Sequence, residues 1–352
     1  MTRPDQVFEF GVDTFGDLTH DTSGQPHSQA HVLRNVVEEA VIAEQAGLDC
    51  FGVGEHHRDD FAIAAPEVML AAIAARTSRM WLGSAVTVLS TDDPVRVFQR
   101  FSTLNAISNG RAEVILGRGS FTESYPLFGY DLSQYEQLFE EKLELFADLV
   151  AGGPVTWSGK TRAALKEQTV YPPIEKGTLR TWIGVGGSPE SVIRAARYGL
   201  PLTLAIIGGS PQRFRSYVDL YHQALDRFGH EPQPVAVHSP GHVAATDQQA
   251  KDELWPHYER MMNRIGAERG WPRRGRSDFE QDVAHGALCV GSPETVAAKI
   301  AGTVKALGLS RFDLKYSHGT LPHELMITSL ELIGTKVAPR VRDAAAALKA
   351  AS

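Results

Sequence analysis

Eight short runs rich in β-branched and aromatic residues alternate with helical patterns along this chain. That alternation is what a parallel sheet wrapped by helices requires, because each helix returns the chain to the same end of the sheet. The runs fall at 7–12, 50–54, 81–86, 112–117, 181–185, 202–207, 234–238 and 312–316. Eight parallel strands close on themselves, so the expected fold is α/β, a (β/α)8 barrel.

The helices between the strands are marked by their ends. The stretch 28–46 carries Val32, Val36, Val37, Ala40, Ile42 and Ala43 at helical spacing, and Gly47 stops it as a glycine just past the last turn. Pro66, Pro94, Pro189, Pro211 and Pro293 each sit where a first helical turn begins. A long amphipathic helix is expected over 134–150, another over 247–268, and a carboxyl-terminal helix from Pro322 onward. Two segments exceed a minimal barrel: an irregular hairpin at about 155–179, and an excursion at about 242–284 before the last strand–helix unit. Such insertions commonly form lids, binding walls or subunit contacts. Nothing in the chain reads as a linker, so residues 1–352 form a single domain.

A net charge of −7 excludes nucleic acid and anionic membranes as partners, since both need a basic face. The 43% hydrophobic and 22% charged shares suit a globular protein with a substantial core. Cys50 and Cys289 lie far apart inside apolar runs and read as reduced, buried thiols. Met1–Gln6 carries no apolar signal region, and no run of about 18 apolar residues occurs, so the chain is expected in the cytoplasm.

Function in such a barrel belongs to the loops that follow the strands. The second strand runs into Gly54-Glu55-His56-His57-Arg58-Asp59-Asp60-Phe61, a charged loop with two imidazoles. After the third strand, Ser84 to Pro94 is small and hydroxyl-rich; layer packing accounts for Val86 and Val88 but not for Thr87 and Ser90. After the fourth, Gly117-Arg118-Gly119 sets a guanidinium between two glycines. After the fifth, Gly186-Gly187-Ser188-Pro189 offers free amides, a capping serine and a helix amino terminus, which together suit a phosphate. Val290-Gly291-Ser292-Pro293 repeats that cap with one glycine fewer and reads as a cap alone. The sixth strand ends in Gly208-Gly209-Ser210. A phosphorylated planar cofactor lying across the mouth fits all of these loops.

These motifs, in this order from about residue 5 to residue 335, resemble the bacterial luciferase-like, flavin-dependent monooxygenase family. The carrying segments are Gly54–His57, Leu82–Leu89 with Asp93–Arg96, Ser108–Arg111, Gly117–Gly119, Gly186–Ser191 and Gly291–Glu294. The resemblance implies a luciferase-like TIM barrel that binds FMN at the carboxyl ends of its strands, in a homodimer or homotetramer. It places His56 near the reactive edge of the flavin, to hydrogen-bond or protonate a C4a-peroxyflavin with an imidazole poised near neutral pH. Glu55 and His57 would orient it or touch the cofactor. Ala85 and Val86, continued by Thr87, match the bulge under the isoalloxazine, often joined by a cis peptide. Arg118, Ser188 and the amides of Gly186 and Gly187 match the phosphate-binding positions.

The reaction implied is oxidation of a small organic substrate by reduced FMN and O2, the reduced flavin supplied by a partner reductase. The alternative within the family is a deazaflavin-dependent dehydrogenase or reductase. Phe8, Phe10, Phe61, Phe121, Tyr125 and Phe128 could wall an apolar substrate space, although aromatics near a barrel mouth also serve as packing. A metal-dependent hydrolase would need His56, His57, Asp59, His238, His242 and His318 to converge, yet adjacent histidines point apart. A flavin-binding protein without catalysis is the non-enzymatic alternative.

Overall fold

The computed structural model describes residues 8–21 and 23–351. Val7 of the first expected strand and the Met1–Gln6 segment lie outside them. Eight strands follow one another around a closed barrel: β1 (Glu9–Thr14), β2 (Cys50–Val53), β3 (Trp81–Ser84), β4 (Ala112–Gly117), β5 (Arg180–Val185), β6 (Leu202–Ala205), β7 (Val235–Val243) and β8 (Arg311–Lys315). Every neighbouring pair is parallel, and β8 pairs back onto β1.

The barrel is wrapped by α1 (Gln29–Gln45), α2 (Pro66–Ala74), α3 (Pro94–Ile107), α4 (Tyr135–Ala151), α5 (Pro189–Arg197), α6 (Arg215–Phe228), α7 (Asp247–Arg269), α8 (Arg276–His285) and α9 (Pro293–Leu307). Two carboxyl-terminal helices, α10 (His323–Leu332) and α11 (Ala338–Ala350), close the ring. The ends are capped as the sequence suggests. The Ser28 and Ser292 hydroxyls accept from the third amide of α1 and α9, and Gly47 holds φ at +88°. No helix of the described residues is long and apolar enough to cross a membrane.

Of the strand boundaries that differ from expectation, three shape the site. β1 is shifted two residues toward the carboxyl end, bringing Asp13 and Thr14 into the sheet. β7 continues past His238 to Val243, because its last three residues leave the barrel and pair with the short strand Cys289–Gly291. β3 stops at Ser84 because the chain bulges at Ala85–Val86 before Thr87–Val88 rejoins β4. The expected hairpin is present as Val155–Trp157 against Leu165–Gln168. The excursion after β7 contains α7 and α8. Cys50 and Cys289 are both buried and free.

Alternation along the strands divides the barrel into two chemically opposite faces. Phe10, Val12, Phe51, Leu82, Leu116, Leu204, Phe312 and Leu314 belong to the large apolar core shared with the helices. The other face supplies only a small apolar cluster, Ile115, Trp182 and Ala236. Charged side chains and the glycines that make room for them take up much of the rest of that face. Arg311 bonds Glu113 at 2.6 Å and Asp313 at 2.8 Å, while Arg180 bonds Glu9 at 2.5 Å. Glycines make room for these side chains: a Cβ on Gly11 would run into the Asp313 carboxylate, and one on Gly83 would lie 2.7 Å from Cγ of Glu113. A barrel interior is usually filled by branched apolar layers. Here it is an ion-paired floor.

Candidate functional site

Above that floor, at the carboxyl ends of the strands, opens a cavity of about 440 Å3. Asp13, Thr203, His238, Asp313 and Lys315 line it from the strands; His56, Phe61 and Phe121 from the loops; and Met261, Met262 and Ile265 from α7. Ala85, Val86, Arg118 and Gly186 also reach it. The chain therefore brings most of the expected site residues to one place, and each has a distinct environment.

His56 follows β2, and its backbone N–H donates to the Ile63 carbonyl at 2.9 Å. Its imidazole sits among Phe15, Phe61 and Phe121, with ring centroids 4.5, 4.4 and 5.3 Å away. Burial among these rings pushes its pKa down to about 3; the Asp17 carboxylate opposes the shift, and Lys315 adds to it. The expectation of an imidazole poised near neutral pH is corrected on this point. His56 is a neutral hydrogen-bonding group throughout the physiological range, and it faces the cavity.

Glu55 and His57 form a brace beside it. Glu55 is buried; one carboxylate oxygen bonds His57 Nε2 at 2.9 Å and the other accepts the Val88 amide at 2.8 Å. This pins the β2 loop to the chain after β3. Both residues also border a smaller space of about 150 Å3 shared with Glu67, Asp92 and Arg100.

The Ala85–Val86 peptide is cis. Its side chains have space only because their neighbours are glycines: a Cβ on Gly117 or Gly184 would come within 2.6 or 2.9 Å of Val86, and one on Gly52 within 3.1 Å of Ala85. Thr87, expected on the same shelf, is instead fully buried against β4, and its hydroxyl has no protein partner. It is not among the residues lining the cavity.

At the opposite rim, the Ser188 hydroxyl accepts the Ser191 amide at 3.2 Å and donates to the Ser191 hydroxyl at 3.0 Å. Gly187 adopts φ of +115°, and its carbonyl accepts from the Tyr217 hydroxyl at 2.8 Å. Of this loop, Gly186 and Ser191 face the cavity. A Cβ on Gly186 would meet nothing within 4 Å. Arg118 lies over the Tyr135 ring at 4.8 Å and pairs with Glu136. Glu136 also takes Arg194, a buried residue of α5 that the sequence reading missed. Its spacing was the available signal, since Arg194 follows Ser191 by three helical positions.

The aromatic wall is smaller than the sequence suggested. Phe61 and Phe121 line the cavity, whereas Phe8 and Phe10 pack in the helix-facing core. Tyr125 is buried against Tyr135, and Phe128 meets the edge of His57. Phe121 is clasped between Arg58 and Arg269 at 4.6 and 4.9 Å, which ties the β4 loop to α7. Arg58 also bonds Asp60, Glu123 and Glu268, while Arg264 pairs with Asp59.

The six candidate metal ligands do not converge. His238 bonds Asp13, His242 bonds Glu253, and His318 bonds the Gly241 carbonyl. Among the described residues no group of three or more His, Cys, Asp or Glu is placed to hold a metal ion. The floor residues Asp13, Asp313 and Lys315 were missed as site residues, and His238 was weighed only as a metal ligand. The run Arg311-Phe312-Asp313-Leu314-Lys315 carries their signal, with charges at every second position of a strand flanked by buried neighbours.

Comparison with known proteins gives one consistent result. Residues 11–311 match the model of the luciferase-like monooxygenases. The alkanal monooxygenase alpha chain of Photorhabdus laumondii is 22% identical, over 94% of this chain and 98% of its own. A monooxygenase from Streptomyces bottropensis superposes with a TM-score of 0.83 at 23% identity, over 94% of this chain and 99% of its own. A Pseudomonas putida type II Baeyer–Villiger monooxygenase in complex with FMN gives 0.75 at 20% identity, over 95% and 98%. An F420-dependent secondary alcohol dehydrogenase, holding an F420–acetone adduct, gives 0.73 at 17% identity, over 95% and 99%.

Proposed function

The chain belongs to the luciferase-like monooxygenase family, and on that premise we propose that it is a monooxygenase that uses reduced FMN and O2 to oxidise a small organic substrate. The observation that carries this reading is His56, a neutral imidazole without a side-chain partner, held by three phenyl rings at the cavity wall. Bound reduced FMN would supply two electrons for cleaving O2, one oxygen atom entering the substrate and the other leaving as water.

The residues present fit that cofactor. Gly52, Gly117 and Gly184 leave Ala85 and Val86 free to press against a flat ring. Gly186, Ser191 and Arg118 all line the cavity, and Gly187 and Ser188 lead into the amino terminus of α5, where a phosphate is favoured. The Glu55–His57 brace fixes the loop that carries His56, whose N–H can hydrogen-bond a reacting oxygen without importing charge. Phe15, Phe61 and Phe121 exclude water around it.

Neutralising the phosphate site gives a first expected outcome. Arg118→Met and Ser188→Ala each weaken FMN about tenfold or more while leaving riboflavin within about twofold, since a hydrogen bond to a charged group is worth roughly 1.5–3 kcal/mol. Fluorescence-quenching titrations check this, and equal losses for both flavins would move the phosphate elsewhere.

The reaction itself is tested by oxygen uptake with reduced FMN, regenerated by a separate NADH-dependent reductase, against medium-chain aldehydes and cyclic ketones. Substrate-dependent uptake with a product one oxygen atom heavier supports the reading. Likeness to the F420-dependent dehydrogenase favours one second reading, in which a reduced or oxidised deazaflavin exchanges hydride with the substrate. Deazaflavin reduction by an alcohol without oxygen uptake would select it. Flavin binding with no turnover of either kind would leave a non-catalytic flavin carrier. We extend the proposal to a homodimer or homotetramer, which sedimentation equilibrium reads directly.

A further inference from the structure

Two imidazoles flank Phe15 at the cavity, and the chain treats them oppositely. His56 lies 4.5 Å from the Phe15 centroid and has no acidic partner in contact. His238 stacks parallel to the same ring at 6.0 Å, with its Nδ1 2.7 Å from the Asp13 carboxylate. It lines the cavity, and its other nitrogen has no partner among the described residues. Two environments that push like groups apart commonly divide acid from base roles.

We propose that His238, held by Asp13, is the donor that receives an oxygen of the substrate, so that the substrate presents a carbonyl or an ionised hydroxyl to the cavity floor.

Geometry supports this in three ways. Asp13 bonds Nδ1, so the remaining N–H of a protonated ring is Nε2, the nitrogen left without a partner. The surrounding floor has a donor that the protein does not use: the Thr203 hydroxyl is buried, unpartnered, and belongs to a residue lining the cavity. α7 adds the apolar Met261, Met262 and Ile265 to the lining, so a ligand with one polar end is oriented by the contrast with the floor.

The charged groups facing His238 also favour a protonated ring. From β1 comes Asp13; from β8 come Asp313, in register with His238, and Lys315; β6 supplies uncharged Ala205. Burial pushes the imidazole down, but Asp13 and then Asp313 outweigh burial and Lys315, and its pKa stands above the usual value. Lys315 is itself held by Asp17 at 3.0 Å and by the Ser317 carbonyl. His238 therefore keeps an uncommitted donor at the cavity floor, beside a Lys315 whose donors are already taken. The role goes beyond the proposed oxygenation and rests on it only for the identity of the reaction.

The test needs no turnover. The FMN-loaded protein is titrated with 2,4-dinitrophenol, an oxyanion already ionised at pH 6, and with 2,4-dinitroanisole, which has the same ring but no ionised oxygen. Wild type is expected to bind the phenolate at least tenfold more tightly, and the preference falls below threefold in His238→Gln and in Asp13→Asn. FMN affinity stays within twofold. In wild type the preference also declines as pH rises and the ring loses its proton, a measurement that stands even if a variant fails to fold. Equal affinity for the two probes, a preference that survives His238→Gln, or a pH-independent preference would overturn the assignment. Loss of FMN with His238→Gln would give the residue to the cofactor instead. Failure here leaves the oxygenase reading intact, whereas oxygenase failure shows in the uptake assay and leaves these titrations readable.

Discussion

His56→Ala is expected to lower substrate oxidation by about two to four orders of magnitude while FMN affinity changes no more than a few-fold. That range is what one positioned acid–base or hydrogen-bonding group commonly contributes. The imidazole faces the cavity and bonds no cofactor-side group, so its loss falls on kcat rather than on flavin binding. His56→Gln, which keeps a hydrogen-bonding head, recovers part of the rate. The pH behaviour carries a sign that can be checked. With a folded pKa of about 3, His56 gains no proton as pH falls from 8 to 5, so the rate profile in that range persists in His56→Gln. Stability behaves differently. Below about 6.5 the unfolded chain protonates this histidine and the folded chain does not, so His56 makes stability decline as pH falls toward 3. The slope is at most about 1.4 kcal/mol per pH unit. Urea melts at pH 6.5, 5.5 and 4.5 read it, and His56→Gln removes that share. A substituted protein that oxidises substrate normally would end the catalytic assignment.

The second large effect is on stability. Arg311→Met is expected to cost about 3–5 kcal/mol, the range for removing one partner of a buried ion pair. Arg311 is buried and bonds two carboxylates, Glu113 at 2.6 Å and Asp313 at 2.8 Å. Without it both acids lose their nearest counter-charge in the barrel floor, where Glu113 retains Arg180 at 3.5 Å. Asp313 is already pushed up to about 6 by burial, even with Arg311 beside it. An acid whose folded pKa is raised contributes stability at low pH and loses it as pH rises through that value. The deficit of Arg311→Met is therefore larger at pH 8 than at pH 5. Adding Glu113→Gln or Asp313→Asn recovers part of the loss. Thermal melts of the single and double variants at both pH values decide the matter, and a pH-independent deficit would point to lost packing alone.

The barrel was legible because its outward strand faces and helix caps are local. Phe10, Phe51, Leu82 and Phe312 mark strands by type, and Ser28, Ser188 and Ser292 mark helix starts by position. The mouth loops were legible for a related reason: glycines, an arginine and paired histidines are uncommon where a chain leaves a strand. The polar floor was not read. Asp13, His238, Asp313 and Lys315 come from three strands up to 302 positions apart, and only barrel closure brings them together. Asp13 and His238 look like ordinary polar residues in their own strands, and only the alternating charges of Arg311 to Lys315 give a local signal. The protonation of His56 was also out of reach, since it depends on Phe15, Phe61 and Phe121 closing around the ring.

The central claim is that this mouth holds FMN in preference to a deazaflavin. Equilibrium titration of the purified protein with FMN, reduced FMN and a deazaflavin, followed by fluorescence quenching, tests it most directly. Micromolar binding of an FMN form with little affinity for the deazaflavin is expected, and weaker binding when Arg118 is replaced. Tight binding of the deazaflavin over both FMN forms would contradict it and replace oxygenation with hydride transfer.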